Sequence, residues 1–329
     1  MDTSLLSVLV ADKQSVAQDT VCLELTPLDG VALPAYAPGA HIDVHLPGGL
    51  IRQYSLLDPV AGSVADPVAP ARYRIAVLRE AVSRGGSVVL HDRVQVGDIL
   101  QISQPRNHFA LVPAAHSVLF AGGIGITPLL CMGRQLQAQQ AGLALYYNSR
   151  TAARAAFLAD IQQDFGPQAH CYFDDQPSQS LNVAAVLAGC PADTQVYICG
   201  PTGYIDGVRT QAQAAGLDAA RIHVELFALD AADRPVITDQ DVAFQVQLDS
   251  TGEIFDIPAD ESITAALDRQ GVFIPVSCEE GICGTCLTGL KGGIPDHRDT
   301  YLTDDEHAAN DQFMPCCSRA KTSLLILDL

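Results

Sequence analysis

Three cysteines within nine residues constrain this chain more than any other feature. They stand in the stretch Cys278-Glu279-Glu280-Gly281-Ile282-Cys283-Gly284-Thr285-Cys286, and Cys316 follows 30 positions later. The spacing C-x4-C-x2-C with a distant fourth cysteine is the plant-type arrangement for a [2Fe-2S] cluster, which needs four thiolates at one point. One loop can supply three of them. Gly281 and Gly284 let that loop curl tightly, because glycine accepts backbone angles that cost other residues energy. The curled loop can then aim amide N–H groups at the sulfurs. Structural zinc also takes four cysteines, but usually as two separated C-x2-4-C pairs. Spacing alone leaves Cys316 and Cys317 even as the fourth ligand.

Length and charge narrow the rest. A chain of 329 residues suggests two or three domains. An apolar fraction of 48% is ample for packed cores, and a net charge of −19 argues against a nucleic-acid partner. The last 91 residues hold 17 acidic and 5 basic side chains, a net −12. That acidity suits plain solvation and equally a docking face for a protein that takes electrons, with Glu279 and Glu280 on it. Ten cysteines without a secretory signal predict a reducing, cytoplasmic location. Beyond the four assigned, Cys22, Cys131, Cys171, Cys190, Cys199 and Cys317 read as mostly small core residues. The charge-free run between Arg106 and Arg134 carries Pro113, Pro128 and four glycines. It reads as strand, turn and helix, so no membrane span is expected.

Residues 1–110 read as short strands between turns, and so as an antiparallel β-barrel. Ser7–Ala11, Thr20–Leu25, His41–Leu46 and Arg72–Val77 alternate or nearly so. Two segments look chemical. In Arg52-Gln53-Tyr54-Ser55-Leu56, Arg52 and Tyr54 share one face of a strand and could offer a cation to a phosphate and a ring to a planar cofactor. In Arg84-Gly85-Gly86-Ser87, a Gly-Gly-Ser step opens a short helix whose free N–H groups suit a phosphate. Each is also ordinary strand or helix-start chemistry.

Residues 111–227 alternate strand and helix, which means a parallel sheet with covering helices, an α/β Rossmann-like domain. The strands are Ser117–Ala121, Leu143–Asn148, His170–Phe173 and Gln195–Cys199. The helices are Leu129–Ala141, Ala152–Phe165 and Leu181–Ala188. Ligands bind at the carboxyl ends of such strands, where Gly122-Gly123-Ile124-Gly125-Ile126-Thr127-Pro128 and Cys199-Gly200-Pro201 fall. The first turn departs from the G-x-G-x-x-G fingerprint and would also serve as a tight strand-to-helix connection. Asn148-Ser149-Arg150 ends the second strand and Asp174-Asp175 the third. A carboxylate there favours the free ribose hydroxyl of NADH, and Arg150 favours the 2′-phosphate of NADPH. The balance leans to NADH.

Residues 228–238, with Asp230, Asp233, Arg234 and Pro235, read as a linker. Residues 239–329 read as a small α+β domain. It has a hairpin of Val242–Leu248 and Glu253–Ile257, a helix Ser262–Gln270 capped by Glu261 or Ser262 and stopped by Gly271, the cysteine loop, and a final strand Ser323–Leu329.

Taken together, Arg52–Leu56, Arg84–Ser87, Gly122–Pro128, Cys199–Pro201, Pro295-Asp296-His297-Arg298-Asp299, Pro315-Cys316-Cys317-Ser318-Arg319 and the cysteine set resemble the phthalate dioxygenase reductase family over essentially the whole chain. That family includes vanillate O-demethylase reductases. The resemblance implies a flavin barrel, a nicotinamide-nucleotide domain and a plant-type ferredoxin (β-grasp) domain. It implies FMN held by Arg52, Tyr54, Ser55, Gly85, Gly86 and Ser87. It places NAD on Gly122, Gly123, Gly125, Thr127, Arg150, Asp174, Cys199, Gly200 and Pro201. Thr127, Cys199 and Phe227 would lie near the site of hydride transfer, though Phe227 could equally be an ordinary core residue. Cys316 matches the fourth cluster ligand beside Cys278, Cys283 and Cys286. The implied activity is an NADH-dependent FMN/[2Fe-2S] oxidoreductase feeding a terminal Rieske oxygenase, as in aromatic catabolism, with no catalytic acid or base.

Two readings compete. The redox core could serve another acceptor such as a diiron hydroxylase, or the C-terminal domain could be a zinc-stapled binding module. His297 and His307 tempt a Rieske reading, in which two histidines replace two cysteines. Four well-spaced cysteines already complete the site, so both histidines are expected to be structural or surface residues.

Overall fold

The computed structural model describes residues 5–59, 68–81, 83, 85–176, 180–229 and 233–329. Arg84 and Asp230, named above, lie outside the described residues. The chain divides into two compact units, Met1–Leu226 and Phe227–Leu329. The expected linker, 228–238, thus falls with the second.

Alternating side chains build the first sheet. Its strands are β1 (Leu6–Ala17), β2 (Thr20–Pro27), β3 (His41–Leu46), β4 (Leu50–Ser55), β5 (Tyr73–Leu78) and, after helix α1 (Gly86–Asp92), β6 (Ile99–Ile102). They pair antiparallel in the order β4-β3-β6-β1-β2-β5. Strands β4 and β5, at the two ends of that order, also lie against each other, so the sheet curls back as a barrel. Val8, Leu23, Ile42, Val44, Tyr73 and Ile75 fill its interior.

The second sheet is parallel. It runs through β7 (His116–Gly122), α2 (Ile126–Ala138), β8 (Gly142–Ser149), α3 (Leu158–Phe165), β9 (Ala169–Phe173), α4 (Val183–Ala188), β10 (Gln195–Cys199), α5 (Thr202–Ala214) and β11 (Ile222–Glu225). The strand order is β11-β10-β7-β8-β9. The winding reverses between β7 and β10, which makes their carboxyl ends the switch point where such sheets bind ligands. Helix α2 starts three residues before the expected Leu129. Pro128 is tolerated in its first turn because amides there have no intrahelical partner. The helix expected over Ala152–Phe165 is broken. A 3-10 turn covers Ala152–Arg154, and α3 begins only at Leu158. Between them Ala155 is extended (ψ 101°) and Phe157 is left-handed (φ +59°), angles that an α-helix does not pass through. Helix α5 and strand β11 were not anticipated.

One core joins barrel and sheet: Cys22, Leu57 and Ala76 of the barrel pack with Ile126, Leu129 and Leu130 of α2. Arg134 on α2 adds ion pairs to Asp58 at 3.0 Å and Asp164 at 2.8 Å.

The second unit is α+β. It contains β12 (Phe244–Leu248), β13 (Ile254–Ile257), α6 (Ile263–Arg269), β14 (Thr288–Gly292), β15 (Pro295–Asp296), α7 (Asp304–Ala309), β16 (Gln312–Phe313), β17 (Arg319–Ala320) and β18 (Leu324–Leu327). The main sheet runs β13-β12-β18-β14-β16, with β15 and β17 paired apart. The last strand inserts parallel beside the first, and α6 covers the sheet. Ser262 caps α6 by accepting the Ala265 N–H. Thr303 and Glu306 form a reciprocal capping box that starts α7. Buried Arg319 donates to the Val242 and Pro258 carbonyls at 2.9 and 3.0 Å. Among the described residues no helix is long and apolar enough to cross a membrane.

Candidate functional site

The cysteine loop joins α6 to β14. Gly281 and Gly284 adopt φ +74° and +73°, as the curl requires, and space forbids a larger residue at either. A Cβ on Gly281 would lie 2.6 Å from the Cys317 sulfur, and one on Gly284 would lie 2.4 Å from the Tyr301 ring. Cys278, Cys283, Cys286 and Cys316 are all buried. The Cys278 thiol is within hydrogen-bonding reach of Cys283 and Cys316, and Cys286 is within reach of Cys316. Main-chain N–H groups converge on the same sulfurs: Glu280 on Cys278 at 3.3 Å, Ile282 also on Cys278, and Thr285 on Cys283.

The bond to Cys278, then burial, pushes the Cys283 thiol far above its ordinary range. The bond to Cys316, then burial, does the same to Cys286. Four crowded thiols, served by N–H donors, form a donor set that fits an iron–sulfur cluster, which takes them as thiolates. Cys317 points elsewhere. Its sulfur contacts the Met314 carbonyl at 3.6 Å and the Ser318 hydroxyl at 3.9 Å.

The two glutamates of the loop part company. Glu279 is exposed, in a left-handed conformation (φ +59°). Glu280 is 5% exposed, so its expected place on an acidic docking face is corrected. Its Oε2 accepts the Leu229 N–H at 2.8 Å, and Oε1 pairs with Arg234 at 3.1 Å. A buried carboxylate needs such partners, and here Leu229 and Arg234 supply them. His297 and His307 lie against each other with ring centroids 4.3 Å apart and planes tilted by 33°, both beside buried Asp299. Both histidines are half-buried, so neither is a freely exposed surface residue.

In the first unit, the two chemical segments meet. A Cβ on Gly86 would fall 2.4 Å from Cγ of Arg52. The Arg52 stem therefore lies flat across the start of α1, and only glycine leaves it room. Tyr54 sits on the same strand face, near enough for the guanidinium to act on its hydroxyl, which burial pushes well above the ordinary range. Ser55 is buried. Gly85 turns with φ +94°. Its N–H is taken by the Ser83 hydroxyl at 3.1 Å, and Ser83 also reaches the Ser87 hydroxyl at 3.0 Å. An arginine pressed on a glycine-opened turn beside a tyrosine ring fits a flavin with a phosphate tail.

At the switch point, β7 and β10 bring the two glycine turns into backbone contact. A Cβ on Gly125 would lie 2.3 Å from the Cys199 carbonyl oxygen, and one on Gly200 would lie 2.9 Å from Cα of Gly122. On Gly122 it would strike Tyr204 and Pro201, whereas Gly123 faces open space with φ +55°. Thr127 is buried, its hydroxyl donating to the Ile124 carbonyl at 3.0 Å. Cys199 is fully buried, and burial holds its thiol protonated. Exposed Arg150 and Asp174 end β8 and β9 side by side, the Asp174 N–H donating to the Ser149 carbonyl at 3.1 Å. Phe227, at the start of the second unit, is 39% exposed, so it is no ordinary core residue.

Glu225, opposite Cys199 in the register of β11 and β10, is a site that sequence reasoning missed. Its Oε2 is buried without a partner, and desolvation pushes its carboxyl up to about 8. A lone glutamate at a strand end carries no sequence signal.

Comparison with known proteins agrees with this geometry. The 2Fe-2S iron-sulfur cluster binding domain family matches residues 246–321. Vanillate O-demethylase oxidoreductase of Pseudomonas sp. (strain HR199 / DSM 7063) is 46% identical over 99% of this chain and 100% of its own. The structure of phthalate dioxygenase reductase, described as modular for electron transfer from pyridine nucleotides to [2Fe-2S], superposes with TM-score 0.72. It is 36% identical and covers 99% of this chain and 98% of its own. An intact type IV self-sufficient cytochrome P450 monooxygenase gives TM-score 0.81 at 34% identity over 99% of this chain. The match spans only 41% of that longer protein. Fold, cysteine loop and glycine turns together define an electron-transfer oxidoreductase that uses a flavin, a nicotinamide nucleotide and a [2Fe-2S] cluster. The chain belongs to the phthalate dioxygenase reductase family.

Proposed function

We propose that this chain is the reductase component of a Rieske non-haem iron oxygenase, carrying electrons from NADH through FMN to its [2Fe-2S] cluster and on to the oxygenase. The observation that carries the reading is the meeting of four buried thiols in a chain that matches reductases over its full length. NADH yields two electrons as a hydride, a [2Fe-2S] cluster takes one at a time, and a flavin does both.

The chain's own task is placement. Arg52, Gly85, Gly86 and Ser87 would hold the FMN phosphate, and Tyr54 and Ser55 would line the flavin. Gly122, Gly123 and Gly125 let the backbone approach the dinucleotide, with Gly200 and Pro201 closing the opposite side. Thr127 and Cys199 would border the hydride-transfer site, where no acid or base is needed. Asp174 beside Arg150 would accept from a free 2′-hydroxyl and repel a 2′-phosphate, which favours NADH. Cys278, Cys283, Cys286 and Cys316 hold the cluster.

Anaerobic NADH should bleach the flavin and iron–sulfur absorption of the isolated protein. Adding a Rieske oxygenase that acts on aromatic acids should then give NADH-driven turnover. A colourless, zinc-containing protein would sink the reading, and turnover with a diiron hydroxylase alone would reassign the acceptor.

A further inference from the structure

The second unit holds a cluster of ligating side chains that the electron path does not use. His297 follows β15, Asp299 lies two residues on, and His307 projects from α7. One ligand atom from each lies within 4.8 Å of the others. Asp299 is fully buried at its side chain and His297 is 10% exposed.

Hydrogen bonding fixes which atoms are free. Asn310 donates its amide to the Ala308 carbonyl at 3.2 Å, which turns its Oδ1 towards His297 Nε2, also at 3.2 Å. That acceptor places the His297 ring proton on Nε2 and leaves Nδ1 as a bare lone pair. Nδ1 then faces Asp299 Oδ1 at 3.6 Å, and neither buried atom has a hydrogen-bond partner. Two acceptors aimed at each other in a dry site need a positive charge between them. The other Asp299 oxygen, Oδ2, accepts the Leu302 N–H at 2.9 Å and, at 3.1 Å, a hydrogen bond from His307 Nε2, whose proton a bound cation would displace. Ligands about 2.0–2.1 Å from a tetrahedral zinc stand roughly 3.3 Å apart. Here each histidine nitrogen lies 3.1 or 3.6 Å from one of the two Asp299 oxygens, and one ligand atom from each residue lies within 4.8 Å of the others. The Asn310 contact is also the outer hydrogen bond that orients a metal-bound histidine.

We infer that His297 Nδ1, the Asp299 carboxylate and His307 Nε2 form a divalent-cation site of the zinc class, built without any of the four clustered cysteines. Three protein ligands leave a fourth position for water. A cation there would pin α7 to the segment behind the cysteine loop, where the Thr300 N–H donates to the Gly281 carbonyl at 3.1 Å.

The test uses full-length holoprotein stripped with EDTA, equilibrated with zinc chloride and desalted. Metal analysis should find one zinc per chain in addition to iron. Zinc K-edge absorption should show only nitrogen and oxygen neighbours. His307→Ala, on a partly exposed helix surface, should lose the zinc while keeping iron and flavin. Absence of retained zinc would overturn the site, as would full retention by His307→Ala. A sulfur shell at about 2.3 Å in the wild type would do so too, by placing the zinc among the cysteines.

Discussion

The Glu280 carboxylate accepts the Leu229 N–H at 2.8 Å, across 51 positions of sequence. This bond and the Arg234 ion pair tie the segment that opens the second unit to the cysteine loop itself. Glu280→Ala would leave the buried Leu229 amide unpaired, at a cost of about 1–3 kcal/mol. Urea unfolding followed by the visible absorbance of the cluster should show that loss. The exposed neighbour should behave differently. Glu279→Lys should leave stability near wild type but slow electron delivery to an electropositive acceptor and weaken its salt dependence. Equal effects of the two variants on delivery would refute this division.

The thiol contacts separate adjacent cysteines. Cys316 approaches Cys278 and Cys286, whereas Cys317 packs on Gly281 and the Met314 carbonyl. Cys316→Ser should purify with little iron and no iron–sulfur absorption, and Cys317→Ser should keep both. Normal cluster assembly in Cys316→Ser would show the assignment to be wrong.

Gly125 tests the nucleotide turn. An added Cβ would sit 2.3 Å from the Cys199 carbonyl oxygen, a backbone contact that cannot swing aside. Gly125→Ala should push the two turns apart and raise KM for NADH about tenfold, equivalent to about 1.4 kcal/mol. Flavin and iron content should stay unchanged. Gly86→Ala should do the reverse, lowering flavin occupancy through the Arg52 stem while leaving the iron in place. Steady-state kinetics and cofactor-to-protein ratios distinguish the two.

Local rules made much of this legible in the sequence. His41–Leu46 and Gln195–Cys199 are strands with the bounds their patterns predict, because alternation or a short apolar run leaves few alternatives. Gly281 and Gly284 announced the curled loop, and Ser262 its preceding helix. What escaped depended on long-range partners. Glu280 looks like a surface acid until Leu229 and Arg234 fold over it. Helix periodicity runs through Ala155–Phe157, but the extended Ala155 and left-handed Phe157 break it. Arg52 and Gly86 looked like two separate weak signals, and only the barrel's closure brings them into contact.

Glu225 gives the sharpest pH prediction. Its carboxyl is held up to about 8 by desolvation against an ordinary 4.5. Part of the residue reaches the surface, yet Oε2 is buried and unpaired, so the neutral acid is the form the folded chain prefers. Between pH 4.5 and 8 the unfolded chain has released this proton and the folded chain still holds it. Stability must therefore fall as pH rises through that window, then level off above it. The full difference is on the order of a few kcal/mol. Glu225→Gln keeps the shape without the proton equilibrium. It should be more stable than wild type at pH 8, nearly equal at pH 4.5, and lack this part of the slope between them. Denaturant unfolding across that range measures it, and parallel slopes for the two proteins would mean that Glu225 is ionised in the folded chain.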